Sequence, residues 1–199
     1  MAGTSDAWRG TALATGYGKL YGQMAVPSAG ARHTLDATTL TPDATANPNA
    51  FHFGVTDKGV KFTIKPTYTD FGGDEFRSPL TTTVTALEMS IAGAFIAITD
   101  LDVIKNVLAG VGTYSTSSGY KQVTIGALAI AFQSVVDIFP LFEDPTKVGV
   151  FALYSALNKS GVEWEQGRTT RGATPFSFMG YDVTTRATAD TTGNYWKQI

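Results

Sequence analysis

The stretch that decides the fold is KFTIKPTYTDFGGDEFRSPLTTTVTALEMSIAGAFIAI, which runs from Lys61 to Ile98. Its first part alternates apolar and polar residues and breaks at a Gly-Gly turn bordered by acidic residues. It then resumes as a longer alternating segment. Alternation with a period of two is the pattern of a β-strand with two different faces. The stretch therefore predicts two long strands joined by an acidic loop.

The alternation changes phase within the second strand. Val84 and Ala86 are apolar residues among threonines, but from Leu87 onward the odd-numbered residues are the apolar ones. One extra residue near Ala86–Leu87 produces such a shift, and a β-bulge supplies that residue while bending the strand. The pattern therefore predicts a bulged strand in a curved sheet.

The rest of the chain predicts a mainly β protein, mostly antiparallel, with one packed α-helix (α+β). The helix is expected near residues 100–110, with Thr99 or Asp100 at its N-cap and Gly110 at its C-cap. Its predicted apolar face consists of Leu101, Ile104, Val107 and Leu108. The polar segment TYSTSSGY (113–120) is predicted to be a loop. Other strands are predicted at about residues 16–27, 123–132, 148–157, 162–170 and 174–185, with 148–157 buried on both faces.

The predicted domain organisation divides the chain at residue 50. Residues 1–50 are rich in Gly, Ala, Thr and Pro. They are interpreted as an N-terminal arm and extended loop, ordered by contact with something else, or as a disordered linker. Residues 51–199 form the β domain, with a C-terminal arm near 187–199.

Composition excludes several classes of protein. The 199 residues carry a net charge of −2 and only 16% charged residues, which argues against a nucleic-acid binder. Because the chain has no cysteine, disulfides and thiolate chemistry are excluded. The longest apolar runs fall short of the ~20 residues that cross a bilayer. We expect no signal peptide and a soluble protein made in a cytoplasm.

The strongest enzymatic candidate is the pair Glu163 and Glu165. As i and i+2 residues of a strand, they would lie ~7 Å apart on one face, a separation seen in glycosidases. Trp164 would then point to the opposite face, so a charged outer face over a buried tryptophan explains all three residues together. We therefore expect that the protein is not an enzyme and that it binds no cofactor.

Metal sites and a nucleic-acid-binding stripe of arginines are only weakly indicated. Asp70, Asp74 and Glu75 do not have the spacing of a calcium loop, so a solvated acidic loop is favoured. The two histidines, His33 and His52, permit a metal site, but scattered surface histidines are the usual case. The separated arginines are interpreted as surface residues that form ion pairs: Arg168, Arg171 and Arg186.

Two regions of the chain have an informative order of predicted elements. The first is Gly59–Leu108, with a strand, a loop, a long strand and a helix in that order. The second is Val148–Trp196, where a buried strand, an outer strand, a Thr/Arg turn and a Phe-rich strand lead to a tail that ends in aromatic residues. In this order of elements the chain resembles the major tail protein, or tail tube protein, of long-tailed bacteriophages, and the resemblance covers about two thirds of the chain.

The resemblance implies a fold and a role. Two packed antiparallel sheets would form a β-sandwich or partial barrel, which closes when subunits join into hexameric rings. Stacked rings would form a tube in the virion, through which DNA passes without specific binding. The implied partners are further copies of the chain, the tape measure protein, and the tail terminator and distal tail proteins, with no membrane. The alternative interpretation is a carbohydrate-binding or adhesion β-sandwich module of a virion.

Under this resemblance, two sets of residues are candidate sites. Glu88 and Ser90 are candidates for the face that lines the lumen. The candidate loop between stacked rings comprises Asp70, Gly72, Gly73, Asp74, Glu75 and Arg77.

Overall fold

The computed structural model describes residues 19–36, 39–54, 56–72, 81–95, 101–107, 112–117, 119–125, 131–141, 144, 147–161, 174–184, 186 and 191–197. The strands are β1 (Lys19–Gly22), β2 (Phe51–His52), β3 (Thr56–Phe71), β4 (Thr81–Phe95), β5 (Gly112–Ser117), β6 (Tyr120–Ile125), β7 (Gln133–Pro140), β8 (Val148–Asn158), β9 (Thr174–Gly180) and β10 (Gly193–Lys197), and the helix is α1 (Leu101–Val107).

The described chain is mainly β, as predicted, with one short helix. Eight strands form a single antiparallel sheet in the order β2-β1-β7-β8-β9-β4-β3, with β10 also paired to β8. Strands β5 and β6 form a separate two-stranded hairpin. The eight-stranded sheet is not closed by the strands that the structure describes.

Strand β8 is the centre of the sheet. It pairs with β7 along one edge. Its other edge is shared, because β10 pairs with Gly149–Leu153 and β9 pairs with Ala156–Asn158. Its side chains are buried on both faces through Tyr154, which confirms the prediction for 148–157.

Two apolar cores lie on opposite faces of β7 and β8. Phe62 of β3 contacts Phe139 of β7 and Phe151 of β8, so the sheet curls until its last strand meets its centre. The first core, inside this curl, comprises Leu20, Phe53, Met89, Ile91, Phe95, Val103, Val107, Val135, Phe151, Leu153, Ala156, Phe176 and Phe178. The second core comprises Tyr21, Met24, Val136, Ile138, Val148, Val150, Ala152 and Tyr154.

The helix confirms its predicted place but not its whole predicted face. Val103, Ile104 and Val107 are buried, whereas Leu101 is only partly buried. Val103 therefore belongs to the buried face and was missed. The predicted cap residues and Leu108 lie outside the described residues. No helix in the described ranges is long and apolar enough to span a membrane.

Several strand predictions need correction. The segment 113–120 is not a loop, because most of it lies in the β5–β6 hairpin, with Gly119 at positive φ between the strands. Strands β7 and β10 were missed. The strand predicted over 174–185 ends at Gly180. The strand predicted over 162–170 lies outside the described residues.

The described part of residues 1–50 lies against the sheet of its own chain. Strand β1 pairs with β7 and β2. The following segment, which runs through turns to residue 50, packs Leu35, Leu40 and Ala50 against the second core. The division of the chain at residue 50 stays a prediction.

Candidate interaction surface on the β3–β4 ribbon

The outer halves of β3 and β4 form a two-stranded ribbon, defined here as residues 61–71 and 81–88. Pairing between the two strands continues out to Phe71 and Thr81. Strand β4 pairs with β9 only from Ser90 to Phe95, so the ribbon extends past the strand that supports its base. Every described residue of 81–88 is exposed.

A β-bulge sets the faces of the ribbon. Thr67 pairs with Ala86 and Tyr68 pairs with Val84, so Thr85 is an extra residue on β4. This confirms the bulge that the change of phase predicted near Ala86–Leu87. The bulge keeps Val84 on the same face as Leu87, because it restores the alternation that the extra residue interrupts.

One face of the ribbon is apolar and begins inside the first core. Phe62 stacks on Phe151 with ring centroids 4.6 Å apart and lies 5.4 Å from Phe139. Its cross-strand partner Ile91 is fully buried, and Met89 is 6% exposed. The base of this face is therefore part of the folded core.

The same face continues outward with its apolar side chains in solvent. The exposed fractions are 54% for Ile64, 49% for Leu87, 60% for Tyr68 and 59% for Val84. These residues lie in adjacent rows of one face and extend ~13 Å along the strand from Ile64 to Tyr68. Contiguous exposed apolar residues of this kind mark interaction sites on soluble proteins.

The opposite face of the ribbon is polar. The candidate lumen residues Glu88 and Ser90 both lie on it, opposite Lys65 and Thr63. Glu88 is exposed, whereas Ser90 is partly buried. Further out, threonine hydroxyls bridge the strands, since Thr69 donates to Thr85 Oγ1 at 3.2 Å and Thr85 donates to the Thr67 carbonyl at 3.3 Å. Among the described residues of the ribbon, the exposed apolar ones on this face are Phe71 and Ala86, whose side chain is small.

The candidate loop at the end of the ribbon is described only at its start. The Thr82 hydroxyl donates to Asp70 Oδ1 at 2.6 Å, which ties the last rows of the two strands together. Gly72 is exposed. The other four candidates lie outside the described residues: Gly73, Asp74, Glu75 and Arg77.

A buried carboxyl group lies far from the ribbon, at the centre of the sheet. Asp137 pairs with Leu20 and Phe151, which places its side chain on the face of the first core. Its Oδ1 atom has no hydrogen-bond partner among the described residues. Burial raises the pKa of Asp137 to about 8, because an apolar environment disfavours the carboxylate. Sequence reasoning missed this group, although an Asp within the apolar run VVDIF is a visible signal.

A second buried group joins distant segments on the other face of the sheet. Arg186 is 1% exposed, so its interpretation as a surface arginine was wrong. Its guanidinium donates to the carbonyls of Pro27 and Ser28 and lies 3.9 Å from the ring centroid of Tyr154. Because these contacts join residues separated by more than 150 positions, Arg186 holds the N-terminal segment on the sheet.

The two histidines are buried, which corrects their interpretation as surface residues. His33 lies between Tyr154 and Trp196, and burial followed by the charge of Arg186 lowers its pKa to about 4. His52 accepts a hydrogen bond from the Gly54 amide at 3.0 Å through Nδ1. Both histidine side chains are therefore buried parts of the packed structure, and neither is a scattered surface residue.

The candidate enzymatic residues are not tested by the geometry. Glu163, Trp164 and Glu165 lie outside the described residues, as do Arg168 and Arg171. Within the ranges that the structure describes, no group of three or more His, Asp or Glu side chains is arranged to hold a metal ion.

Comparisons with known proteins give no family assignment. A scan against protein-family models found no match to this chain, and a search of curated proteins found none either.

Proposed function

We propose that this protein is a structural subunit that assembles with copies of itself, and that the assembly is a bacteriophage tail tube. The observation that carries the proposal is the apolar face of the ribbon, formed by Ile64, Tyr68, Val84 and Leu87. Removing these side chains from water favours association, at roughly 25 cal/mol per Å² of buried apolar surface. An assembly of identical copies supplies a partner for every such face.

The chemistry of this face supports a protein partner. The four side chains carry no charge, whereas DNA binding requires clustered cations and anionic lipid binding is strengthened by them. The lysines of the ribbon, Lys61 and Lys65, lie on the other face. The apolar face therefore fits an apolar protein surface that continues the core outward.

The polar face supports the idea of a water-filled channel. Threonine and serine side chains alternate there with Lys61 and Lys65, and Glu88 lies directly opposite Lys65. A lumen with this composition attracts DNA only weakly, because it has no continuous row of cations. In the proposed tube this face lines the channel, and the sheet closes through neighbouring subunits in hexameric rings.

Electron microscopy of the purified protein tests the proposal. We expect rings or tubes for the wild type. The double variant Tyr68→Ser with Val84→Thr is expected to lose them and to remain folded, since both side chains are exposed. The matched control is Thr69→Ala with Thr83→Ala in the adjacent row of the polar face, which is expected to retain assembly.

The outcome that rejects the proposal is equally definite. A wild-type protein that stays monomeric at high concentration is not a tube subunit, and glycan binding by that monomer would instead support an adhesion module.

The loop between stacked rings is a separate prediction. Deleting residues 70–77 is expected to impair stacking more than folding, and a deletion variant with full-length tubes would contradict it.

A further inference from the structure

Each strand of the ribbon has one edge that no described strand pairs with, and the chemistry of the two edges differs. Strand β3 ends the sheet, so its outer edge has no partner strand among the described strands. That edge carries Pro66, which Lys61 and Lys65 precede on the same strand. Proline removes a backbone donor, and lysines discourage the approach of another strand, so this edge is protected against strand addition.

The β4 edge has none of these protective residues. Thr81–Leu87 reads TTTVTAL, with five β-branched residues, no proline and no lysine. The described ladders pair this segment with β3 alone. The ribbon separates from the sheet at Met89, which lies against Gly180 of β9 and Gly193 of β10. Beyond that point β10 follows β8, and no described strand other than β3 pairs with this part of β4.

Pro66 of β3 determines in which direction the backbone N–H of its partner on β4, Leu87, points. A proline within a strand occupies a position whose N–H would point away from the partner strand. Pro66 is paired with Leu87, so the two residues form a non-hydrogen-bonded pair. The N–H and C=O groups of Leu87 therefore point outward from the β4 edge, where they are available to another strand.

We infer that the β4 edge over Thr81–Leu87 accepts a β-strand from a second copy of this chain, while the β3 edge stays closed. This inference depends on the self-assembly proposed above and specifies the edge through which it occurs. Main-chain hydrogen bonds supply the affinity, as in other cases of β-strand addition.

Strand β10 of the second copy fits this edge. It has five residues and pairs with β8 alone among the described strands. A strand of five residues suits this edge, because the bulge at Thr85 divides β4 into short segments of regular backbone geometry. It carries Lys197, opposite in sign to Glu88 beside the accepting segment. A contact between two different edges repeats from copy to copy, so it closes into a ring when the rotation allows.

The decisive comparison is Leu87→Pro against Leu87→Ala. Both variants replace the leucine side chain with a smaller apolar one, but only the proline variant also loses the outward N–H, and neither loses a hydrogen bond to β3. We expect both to fold, with circular dichroism matching that of the wild type. By light scattering and electron microscopy, Leu87→Pro is expected to need at least tenfold more protein than Leu87→Ala to assemble. Equal assembly of the two variants overturns the inference.

Hydrogen exchange on the wild type provides a second test, which does not depend on any variant folding. On assembly, the amides of Thr81–Leu87 are expected to slow at least tenfold, while those of Lys61–Lys65 change little. Protection of the β3 segment instead, or of neither segment, overturns the inference. If the wild type forms assemblies but these results fail, only the edge is wrong. If the wild type forms none, the proposed function itself fails.

Discussion

The centre of the sheet and the ribbon at its end are built from the same extended backbone, yet water reaches them very differently. Strand β8 is buried on both faces through Tyr154, between two apolar cores. The ribbon exposes both faces over residues 81–88. The comparison separates two kinds of apolar surface, since the centre buries its side chains on folding and the ribbon leaves its apolar side chains exposed.

The largest expected effect concerns the buried carboxyl group at the centre. The folded pKa of Asp137, about 8, lies above its ordinary value of 3.8, so the folded chain keeps a proton that the unfolded chain releases. Its contribution to stability is full below pH 4 and falls as the pH rises to 8. The loss is about 1.4 kcal/mol per pH unit, or about 5 kcal/mol over the window.

Asp137→Asn removes this dependence. The free energy of unfolding of the variant, relative to the wild type, is expected to rise by about 5 kcal/mol from pH 4 to pH 8. Urea unfolding at five pH values measures it. The titration of His33 changes stability with pH in the opposite direction, because its folded pKa of about 4 lies below its ordinary value of 6.5. This contribution is common to the variant and the wild type, so it cancels when their free energies of unfolding are subtracted. Asp70→Asn on the ribbon controls for the lost charge, and parallel profiles for Asp137→Asn and wild type would contradict the prediction.

The next effect compares one residue type in the two regions. Leu153 is fully buried in the first core, whereas Leu87 is 49% exposed on the ribbon. We expect Leu153→Ala to lower the free energy of unfolding of the monomer by about 4 kcal/mol, and Leu87→Ala by less than about 1 kcal/mol. Chemical denaturation at low protein concentration measures both. Similar losses would show that the ribbon is part of the folding core.

A smaller effect is expected where the N-terminal segment meets the sheet. Arg186→Met leaves the carbonyls of Pro27 and Ser28 without their charged donor and is expected to cost about 3 kcal/mol. Limited proteolysis within residues 24–36 is expected to accelerate in the same variant. The matched control is Arg32→Met, since Arg32 is exposed on this segment, and its cost is expected to stay below about 0.5 kcal/mol.

The smallest effect lies at the outer end of the ribbon. Thr82→Val removes the hydroxyl that donates to Asp70 and is expected to change stability by no more than about 0.5 kcal/mol, because both residues are exposed. Thermal unfolding measures this change. A loss above about 1 kcal/mol would mean that the end of the ribbon contributes to folding as the centre does.

Sequence reasoning succeeded where a local pattern has one structural solution. The alternation in β3 and β4, the change of phase at the bulge and the double burial of β8 all follow from side-chain spacing. It failed for β7, because Asp137 interrupts an apolar run and only tertiary burial explains its presence. It failed for β10, because five residues near the chain end pair through backbone contacts that no local pattern encodes.

The candidate surface was only partly predictable for a similar reason. The sequence gives the apolar alternation of Ile64, Tyr68, Val84 and Leu87, but the same alternation in Phe62 and Ile91 belongs to the core. Which rows are covered depends on where β9 ends and how far the sheet curls. Arg186 and His33 were misjudged because their partners lie on distant segments.

The extra residue in β4 bends the ribbon without changing which side chains share a face. Deleting Thr85 would leave Ala86 opposite Thr67 and Val84 opposite Tyr68, because the bulge only inserts a residue between two pairs that are already in register. The deletion would instead straighten the ribbon and remove the hydroxyl contacts of Thr85 with Thr69 and Thr67. One codon thus decides how sharply the apolar face turns away from the core, and leaves the order of side chains along it unchanged.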